Sequence, residues 1–300
     1  MTWRNIMIKD GEHLRLKLDN LEVEKSGQKF TLPLSDIATI TLEGDIMAVT
    51  TKLLAKFAEH NIAVIICDNK YVPCGIFMGF GQYHRTAKRN LEQVAWSEQR
   101  RQEVWSEIIR QKISNQMAVL QSQSAEEERV LKLQELRDNI QIGDRTNREG
   151  HAAKVYFNTL YGLNFTREMD CFENSAMNYG YTIIRAYIAR LVTSLGLIPT
   201  LGVFHRNEFN SFNLVDDLME PFRPLMDWYI SEKITTKFER YLSWEARCIL
   251  IDFLHQPYIR NGKKTTVDLV MLDYVNSFIK AMKDDSAQLL EINLGGMRGV

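Results

Sequence analysis

The first quarter of the chain alternates between hydrophobic and polar residues. Leu14, Leu16 and Leu18 are separated by charged neighbours, and glycine, asparagine and serine residues divide such runs from one another. A period of two is typical of short β-strands that bury one face. We therefore predict that residues 1–79 form a small, mostly β domain of antiparallel strands, interrupted by one helix over residues 50–59.

After glycines at positions 75, 79 and 81, the spacing of hydrophobic residues changes from two to three and four. This spacing places side chains on one face of a helix, and it continues almost to the C-terminus. The exception is residues 257–265, where an Asn-Gly pair predicts a small β-hairpin. The sequence thus predicts an α+β protein, with the β-rich domain followed by a larger all-α domain over residues 80–300.

Local signals predict where several of these helices begin and end. The most continuously apolar helix is expected over residues 176–195, and Gly196 and Pro199 should end it. Ser124 followed by Glu127 has the spacing of a capping box, which predicts a helix that starts at Ser124. A further helix is predicted over residues 214–222.

Composition and charge narrow the class of protein. The 300 residues are 45% hydrophobic, which is enough for a sizeable core, and the formal net charge is −1. Near-neutrality argues weakly against a nucleic-acid binder, so phosphate contacts would require local basic surface. Basic residues do interleave with Trp96 and Trp105 along the first long helices. They form either a solvated helix face or a face that follows a DNA phosphate backbone. They include Arg100, Arg101, Arg110 and Lys112.

The cysteines and the N-terminus suggest an intracellular protein. Cys67, Cys74, Cys171 and Cys248 lack the paired spacing of a zinc site, and we expect them to be reduced. The first ten residues have no signal-peptide pattern, and no stretch reaches the length of a membrane span. We expect a soluble, cytoplasmic protein with no membrane association.

Candidate chemistry first appears on the helix over residues 214–222, for which Asn213 or Ser211 is the expected N-cap. Asp216 and Glu220 are four residues apart, and Asp217 and Glu220 are three apart. Such pairs share one surface of a helix and repel each other unless a positive group lies between them. A divalent cation would serve.

Two further residues are candidates for the same site. His205 lies just upstream of this helix, on a segment that Gly202 interrupts. Glu149 falls on the apolar face of another predicted helix, where an unpaired charge is costly. Glu149, His205 and Glu220 together would make a mixed oxygen and nitrogen site for a metal.

Ordinary structural roles compete with this interpretation. Glu149 can be neutralised by Arg148 or Arg223 in a buried ion pair. Asp216 and Asp217 can be first-turn acids, which the helix dipole favours.

Four motifs connect these residues to a known family. In chain order they are Asn-Arg-Glu-Gly at 147–150, Asn-Ser-Ala-Met-Asn-Tyr-Gly-Tyr at 174–181, Phe-His-Arg-Asn-Glu-Phe-Asn-Ser-Phe-Asn-Leu at 204–214, and Asp-Leu-Met-Glu-Pro-Phe-Arg-Pro at 217–224. Together they resemble the "Cas-one" family of CRISPR spacer-acquisition endonucleases, or integrases. The third motif is similar to the type II branch, which accompanies a single-protein effector nuclease.

The resemblance implies a metal-dependent DNA integrase whose helical domain is catalytic. Carried over to this chain, the three catalytic and metal-binding residues are Glu149, His205 and Glu220, with Mg²⁺ or Mn²⁺ as the cofactor. Many relatives have Asp in the third place, so it stays open whether Asp216 or Asp217 also reaches the metal. It is equally open whether His205 is only a ligand or also a proton acceptor.

The implied reaction is attack by the 3′-hydroxyl of incoming DNA on a phosphodiester of the CRISPR array. The implied partners are double-stranded DNA, as prespacer and array, a second copy of the chain, and a small "Cas-two" dimer that completes a heterohexamer. The N-terminal domain would form the dimer and seat that partner. In the type II branch, an accessory adaptation protein and the effector nuclease are further expected partners.

Two rival functions are also considered. The same metal site would suit a structure-specific DNA repair nuclease, which hydrolyses rather than joins. Alternatively, the chain would be a non-catalytic subunit that holds DNA.

Overall fold

A computed structural model describes residues 4–11, 13–44, 46–79, 82–238, 240–283 and 286–298. The chain divides into two compact units. The first consists of residues 1–90 and 189–197, and the second of residues 91–188 and 198–300. The domain boundary is predicted near residue 80. Residues 80 and 81, which include Gly81, lie outside the described residues.

In the first unit the described elements are mainly strands. They are β1 (Arg4–Lys9), β2 (His13–Lys17), β3 (Asn20–Lys25), β4 (Gln28–Pro33), β5 (Ile37–Glu43), β6 (Ala48–Val49), α1 (Thr51–Glu59), β7 (Ala63–Cys67), β8 (Pro73–Phe77) and the start of α2 (Thr86–Val94). This arrangement confirms the β-rich N-terminal part of an α+β fold.

These strands form two four-stranded sheets rather than one antiparallel set. Strands β4, β3, β2 and β6 lie in that order in one sheet, and β1, β5, β7 and β8 form the other. Strand β5 pairs in parallel with β1 and with β7. The expectation of antiparallel strands is therefore wrong for these two pairs and for the parallel pair of β2 and β6, whereas β2–β3, β3–β4 and β7–β8 are antiparallel. Every residue of β5 is buried, as is typical of a central parallel strand.

The core of the first unit lies under α1 and between the strands. Leu14, Leu34, Ile40 and Phe57 are fully buried there. The predicted helix begins one residue later than residue 50, because Thr50 is its N-cap. The Thr50 hydroxyl accepts a hydrogen bond from the Leu53 amide at 3.3 Å.

The second unit is mostly helical, as predicted. Its described elements are the end of α2, α3 (Glu98–Ser122), α4 (Glu127–Asp138), α5 (Arg148–Tyr161), α6 (Phe172–Ser194, of which residues from 189 belong to the first unit), α7 (Asn213–Met219), α8 (Arg223–Lys233), α9 (Trp244–Asp252), β9 (Pro257–Arg260), β10 (Lys263–Thr266), α10 (Val267–Ala281) and α11 (Gly295–Arg298). None of the helices in the described ranges is both long enough and apolar enough to span a membrane.

Two predicted helix caps are wrong. Ser124 has a left-handed φ of 55° and lies outside α4, whose N-cap is Glu126 without a side-chain bond. Helix α7 starts at Asn213, and the residue before it, Phe212, provides no side-chain cap. The side-chain amide of Asn213 instead donates to two backbone carbonyls of the preceding loop, those of residues 200 and 207.

The predicted hairpin is confirmed. Strands β9 and β10 pair in antiparallel fashion, with Arg260 opposite Lys263. The two residues between them, Asn261 and Gly262, have φ values of 49° and 72°. Positive φ at both central positions is what a two-residue hairpin turn requires, and Asn-Gly adopts it at little cost.

Helix α3 is tied to two distant segments of the second unit through one buried amide. Asn115, which is 1% exposed, donates to the carbonyls of Pro221 at 3.0 Å and Ile292 at 2.9 Å. The side-chain oxygen of Asn115, Oδ1, accepts a hydrogen bond from the backbone amide of Leu294 at 3.0 Å. The turn after α7 and the C-terminal segment are therefore both held by a residue on α3.

Replacing Asn115 with alanine should lower the free energy of unfolding by about 3 kcal/mol or more, because three buried backbone groups lose their partner. Urea unfolding followed by circular dichroism measures this loss. The matched control is Asn276→Ala, since Asn276 is exposed and makes a single bond to the Leu272 carbonyl. Similar losses in the two variants would contradict this account of the network.

Candidate active site

Glu149 is fixed at the start of α5 by hydrogen bonds to the helix backbone. The carboxylate of Asp144, a buried residue, accepts from the amides of Arg148 at 2.8 Å and Glu149 at 3.0 Å. Asn147 has a left-handed φ of 51°, and its side chain accepts from the Gly150 amide. These bonds satisfy amides that have no partner within the helix, so the first turn is firmly placed.

Glu220 lies in a short 3-10 turn, Glu220–Phe222, between α7 and α8. It is only 5% exposed. One carboxylate oxygen, Oε1, accepts a hydrogen bond from Nε of Arg223 at 2.9 Å. Because Asn115 holds the carbonyl of the next residue, Pro221, the turn that carries Glu220 is anchored to α3.

Lys112 of α3 joins the two glutamates. It is 7% exposed, and its ammonium makes a short hydrogen bond to Oε1 of Glu149. The same Nζ atom lies 2.5 Å from Oε2 of Glu220. The structure thus brings two of the three predicted ligands, Glu149 and Glu220, to a single positive charge.

The charges of this cluster determine its protonation. Burial would raise the pKa of Glu220, but the positive charges of Arg223 and Lys112 outweigh it and lower that pKa to about 2. Burial would lower the pKa of Lys112, yet the charges of Glu220 and Glu149 raise it. Glu220 is therefore a carboxylate and Lys112 an ammonium at neutral pH.

His205 is held by Asp217, which is 0% exposed. The Nδ1 atom of His205 lies 2.6 Å from Oδ1 of Asp217. The same carboxylate accepts hydrogen bonds from the amides of Val203, Phe204 and His205. It therefore fixes both the ring and the loop that carries it.

The close packing of this loop explains Gly202. A Cβ at that position would lie 2.5 Å from the carbonyl oxygen of His205 and 2.6 Å from Oδ2 of Asp217. On the other side, Phe204 stacks on the buried Trp105 with ring centroids 4.2 Å apart, and Trp105 also meets the His205 ring edge-on. The ring of His205 is thus held between Asp217 and an aromatic wall.

His205 and Glu220 are close enough to influence each other's charge. The hydrogen bond to Asp217 is the main reason that the pKa of His205 is raised, and the Glu220 carboxylate contributes in the same direction. The second ring nitrogen, Nε2, has no partner among the described residues. In metal sites, a carboxylate on one ring nitrogen commonly leaves the other free to bind the metal.

The structural alternatives for the acids are resolved by their partners. Lys112 neutralises Glu149, rather than Arg148 or Arg223. Asp216 pairs with Arg185 at 2.6 Å. Asp217 is engaged by His205 and the loop amides, so each aspartate has its own partners.

Whether the three predicted residues could hold a metal can be judged from the polar atoms that they leave free. In the described part of the chain, no three His, Cys, Asp or Glu side chains are grouped as a ready-made metal cluster. However, Oε2 of Glu220 is buried without a hydrogen bond, and the cation next to it is a lysine ammonium. Two carboxylate oxygens around a positive charge, with an unpartnered imidazole nitrogen nearby, fit a divalent ion.

The glutamates open into a cavity of about 240 Å³ that is also lined by Arg167, Tyr181 and Arg223. At its wall the carboxylate of Asp227 accepts hydrogen bonds from the hydroxyls of Tyr181 at 2.5 Å and Tyr156 at 3.1 Å. Burial raises the pKa of Asp227 to about 6. This network fixes the ring of Tyr181, against which Arg223 lies 4.6 Å from the centroid.

Sequence reasoning missed the roles of Lys112 and Asp217. The basic face predicted along the first long helices includes Lys112, but Lys112 is buried, so the prediction is wrong for this residue. The available signal was its position three and four residues after Ile109 and Ile108, in the apolar stripe of α3. For Asp217, the signal was its place in a short helix. It directly follows Leu214, Val215 and Asp216, downstream of the loop that carries His205.

The chain is similar to known proteins over most of its length. The family model described as "CRISPR associated protein Cas1" matches residues 6–252. A CRISPR-associated endonuclease Cas1 from Neisseria meningitidis is 40% identical over 227 residues, which cover 76% of this chain and 74% of the relative.

Two solved structures share the fold at low sequence identity. A casposase bound to integration product has a TM-score of 0.76 and 18% identity, and the match covers 98% of this chain and 95% of the other. A Cas6-RT-Cas1–Cas2 complex has a TM-score of 0.74 and 19% identity over 97% of this chain and 36% of that chain. On the extent of the family match and the identity to the Neisseria protein, the chain belongs to the Cas1 family of CRISPR-associated proteins.

Proposed function

We propose that this chain is a DNA endonuclease and integrase of CRISPR adaptation, with Glu149, His205 and Glu220 as the residues that hold Mg²⁺ or Mn²⁺. The observation that carries the proposal is the convergence of Glu149 and Glu220 on one buried cation, the ammonium of Lys112. Family membership supports it, since a 40% identical relative is named an endonuclease.

A bound divalent ion would lower the pKa of an attacking hydroxyl and screen the charge on the phosphoryl oxygens. The chain itself contributes fixed positions and fixed charges. Asp217 orients His205, and Asp144 orients the turn that carries Glu149. Lys112 and Arg223 place positive charge where a phosphodiester would approach the two carboxylates.

Joining of DNA is favoured over simple cutting as the main reaction. A structural neighbour of the chain is a casposase bound to its integration product, which supports an integrase role. The alternative is a repair nuclease, in which water replaces the 3′-hydroxyl at the same site. A non-catalytic DNA-holding subunit is disfavoured, because such a subunit has no need for buried, converging carboxylates.

The proposed assembly pairs two copies of this chain and bridges such dimers with a Cas2-type dimer on double-stranded DNA. A neighbour that is itself a Cas1–Cas2 complex supports this partner. A composite surface also suits a chain with a net charge of −1, which alone attracts DNA weakly at long range. The joining assays below are therefore run with and without the partner protein.

Joining should require a free 3′-hydroxyl on the donor DNA, because the Tyr181 hydroxyl that lines the cavity is bonded to Asp227, and burial raises its pKa well above the usual value. Donor duplexes that end in a 3′-deoxy nucleotide should give no joined product with a supercoiled plasmid that carries a CRISPR array. Normal duplexes of the same sequence are the control. Efficient joining of the blocked ends would exclude the transesterification mechanism.

Glu149→Gln, Glu220→Gln and His205→Ala should each reduce joining at least about 100-fold, as expected when a group that binds the transition state is removed. Asp217→Asn should also reduce joining, because it removes the bond that fixes His205. Gel assays of strand transfer measure these rates, and duplex binding should change little.

The matched control for the glutamate variants is Glu135→Gln, since Glu135 is an exposed residue of α4 that pairs with Lys132. It should join like the wild type. Wild-type rates for Glu149→Gln would instead support a non-catalytic role.

Lys112→Met should make the protein depend on a divalent ion for stability. Without metal, two carboxylates lose their shared cation, and breaking a buried pair costs about 3–5 kcal/mol. Mn²⁺ should therefore raise the melting temperature of the variant more than that of the wild type, as measured by scanning calorimetry. Lys132→Met, at an exposed pair, is the control. An equal response of variant and wild type to Mn²⁺ would argue against metal binding between these glutamates.

A further inference from the structure

Arg167, in the loop between α5 and α6, is oriented by neutral groups alone. Its guanidinium makes a short hydrogen bond to Oδ1 of Asn174 and donates to Oδ1 of Asn178 at 2.7 Å. The sulfur of Met177 lies 3.6 Å away. In the described ranges, no carboxylate forms an ion pair with it.

The orientation of Arg167 is fixed because its partner Asn174 is itself held by the backbone. Asn174 is 2% exposed, and its side-chain amide donates to the carbonyls of Thr166 and Met169, both at 2.9 Å. Its oxygen is therefore left to face Arg167. Below the guanidinium lie the rings of Phe157 and Tyr181, with centroids 5.7 and 5.3 Å away. A fixed and uncompensated positive charge of this kind is typical of an anion-binding position.

The carboxylate whose pKa Arg167 lowers is already engaged. Asp227 is close enough for the charge of Arg167 to lower its pKa, although burial dominates and raises that pKa overall. Both of its oxygens accept hydrogen bonds from the hydroxyls of Tyr181 and Tyr156. The charge of Arg167 therefore remains available to a ligand.

Arg167 stands where two cavities meet. One is the cavity that contains Glu149 and Glu220. The other, of about 320 Å³, is lined by three arginines with Asp216 as its single acid. Its lining residues are Arg167, Asn178, Tyr181, Thr182, Arg185, Asp216, Met219 and Arg223. We call this second cavity the arginine groove.

Arg185 forms the far end of the arginine groove. Its guanidinium donates to Asp216 at 2.6 Å and to Asn210 at 3.0 Å, and it lies over the ring of Phe212. Both hydrogen bonds come from Nη2, and Nη1 makes no hydrogen bond to the described residues. Arg185 thus keeps donor capacity after its pairing with Asp216.

The groove follows one face of α6. Asn178, Thr182 and Arg185 lie on one face of α6, and seven residues of helix span about 10 Å. A length of about 10 Å corresponds to roughly three nucleotides along one strand of duplex DNA. An elongated, cationic groove that opens beside the carboxylate pair fits a chain of phosphates better than a single small anion.

We propose that the arginine groove binds the sugar-phosphate backbone of the DNA strand next to the reacting phosphodiester, with Arg167 and Arg185 each contacting one phosphate. This inference rests on the proposed function. Phosphate contacts position a strand but carry no sequence information, so the groove sets the register of the DNA without reading its bases.

The test is fluorescence anisotropy with two labelled duplexes of unrelated sequence, in EDTA, over a series of salt concentrations. Arg167→Ala and Arg185→Ala should each weaken binding about tenfold near 0.1 M salt and reduce the slope of log K against log salt by about 0.9. The loss should be the same for both sequences. Arg260→Ala, at an arginine paired with Asp273 on the hairpin, should leave affinity and slope unchanged.

Unchanged affinity and slope in Arg167→Ala and Arg185→Ala would overturn the proposal, and so would a loss confined to one sequence. Thermal unfolding reports whether Arg167→Ala folds. If it does not, Arg185→Ala decides, together with Arg167→Lys, which keeps the charge and should retain most of the salt slope.

The two proposals fail differently. Wild-type protein that binds DNA through these arginines but neither cuts nor joins it with Mn²⁺ would refute the proposed function and leave the groove in place. Wild-type protein that joins DNA, with arginine variants that bind normally, would refute the groove alone.

Discussion

The ammonium of Lys112 lies between two carboxylates that would otherwise repel each other inside the protein. Burying an unpaired charge is costly, and removing one member of a buried ion pair leaves the rest uncompensated. Here the cost is shared, because Glu149, Glu220, Lys112 and Arg223 alternate in charge. The site can therefore be assembled by the fold before any metal or DNA arrives.

The positions of the candidate ligands depend on buried polar side chains that form hydrogen bonds to the backbone. Asp144 holds the amides at the start of α5, Asn115 holds the turn that carries Glu220, and Asp217 holds the loop of His205. Each candidate ligand thus has its own anchor. Because hydrogen bonds to a fixed backbone constrain both distance and direction, each of these three segments holds its candidate ligand in a defined position.

Much of the fold could be predicted from the sequence, and the failures have physical causes. The apolar period indicated the helices and strands, and Asn-Gly indicated the hairpin, because both signals are local. Parallel pairing of β1 with β5 depends on contacts distant in sequence, which periodicity does not contain. Lys112 was assigned to a surface because charged residues are usually exposed. Its burial depends on Glu149 and Glu220, which only the tertiary structure brings beside it.

Glu149 was predicted as a candidate ligand because an acid on an apolar helix face conflicts with ordinary patterning, whereas Glu220 and His205 were predicted from their spacing and from the family motifs. Such conflicts tend to mark functional sites. Asp217 shows the limit of this signal. An acid in an apolar helix can bind a metal itself or can hold a residue that does. Asp217 contacts Nδ1 of His205, and this contact is visible only in the tertiary structure.

We propose that the ammonium of Lys112 occupies the position that a divalent ion takes between Glu149 and Glu220. Anomalous diffraction from crystals soaked in Mn²⁺ tests it most directly. We expect one strong manganese peak bound to Glu149 and Glu220, with His205 Nε2 completing the site and Lys112 displaced from between the carboxylates. A structure in which manganese binds elsewhere, or nowhere, while Lys112 still bridges the two glutamates would contradict the claim.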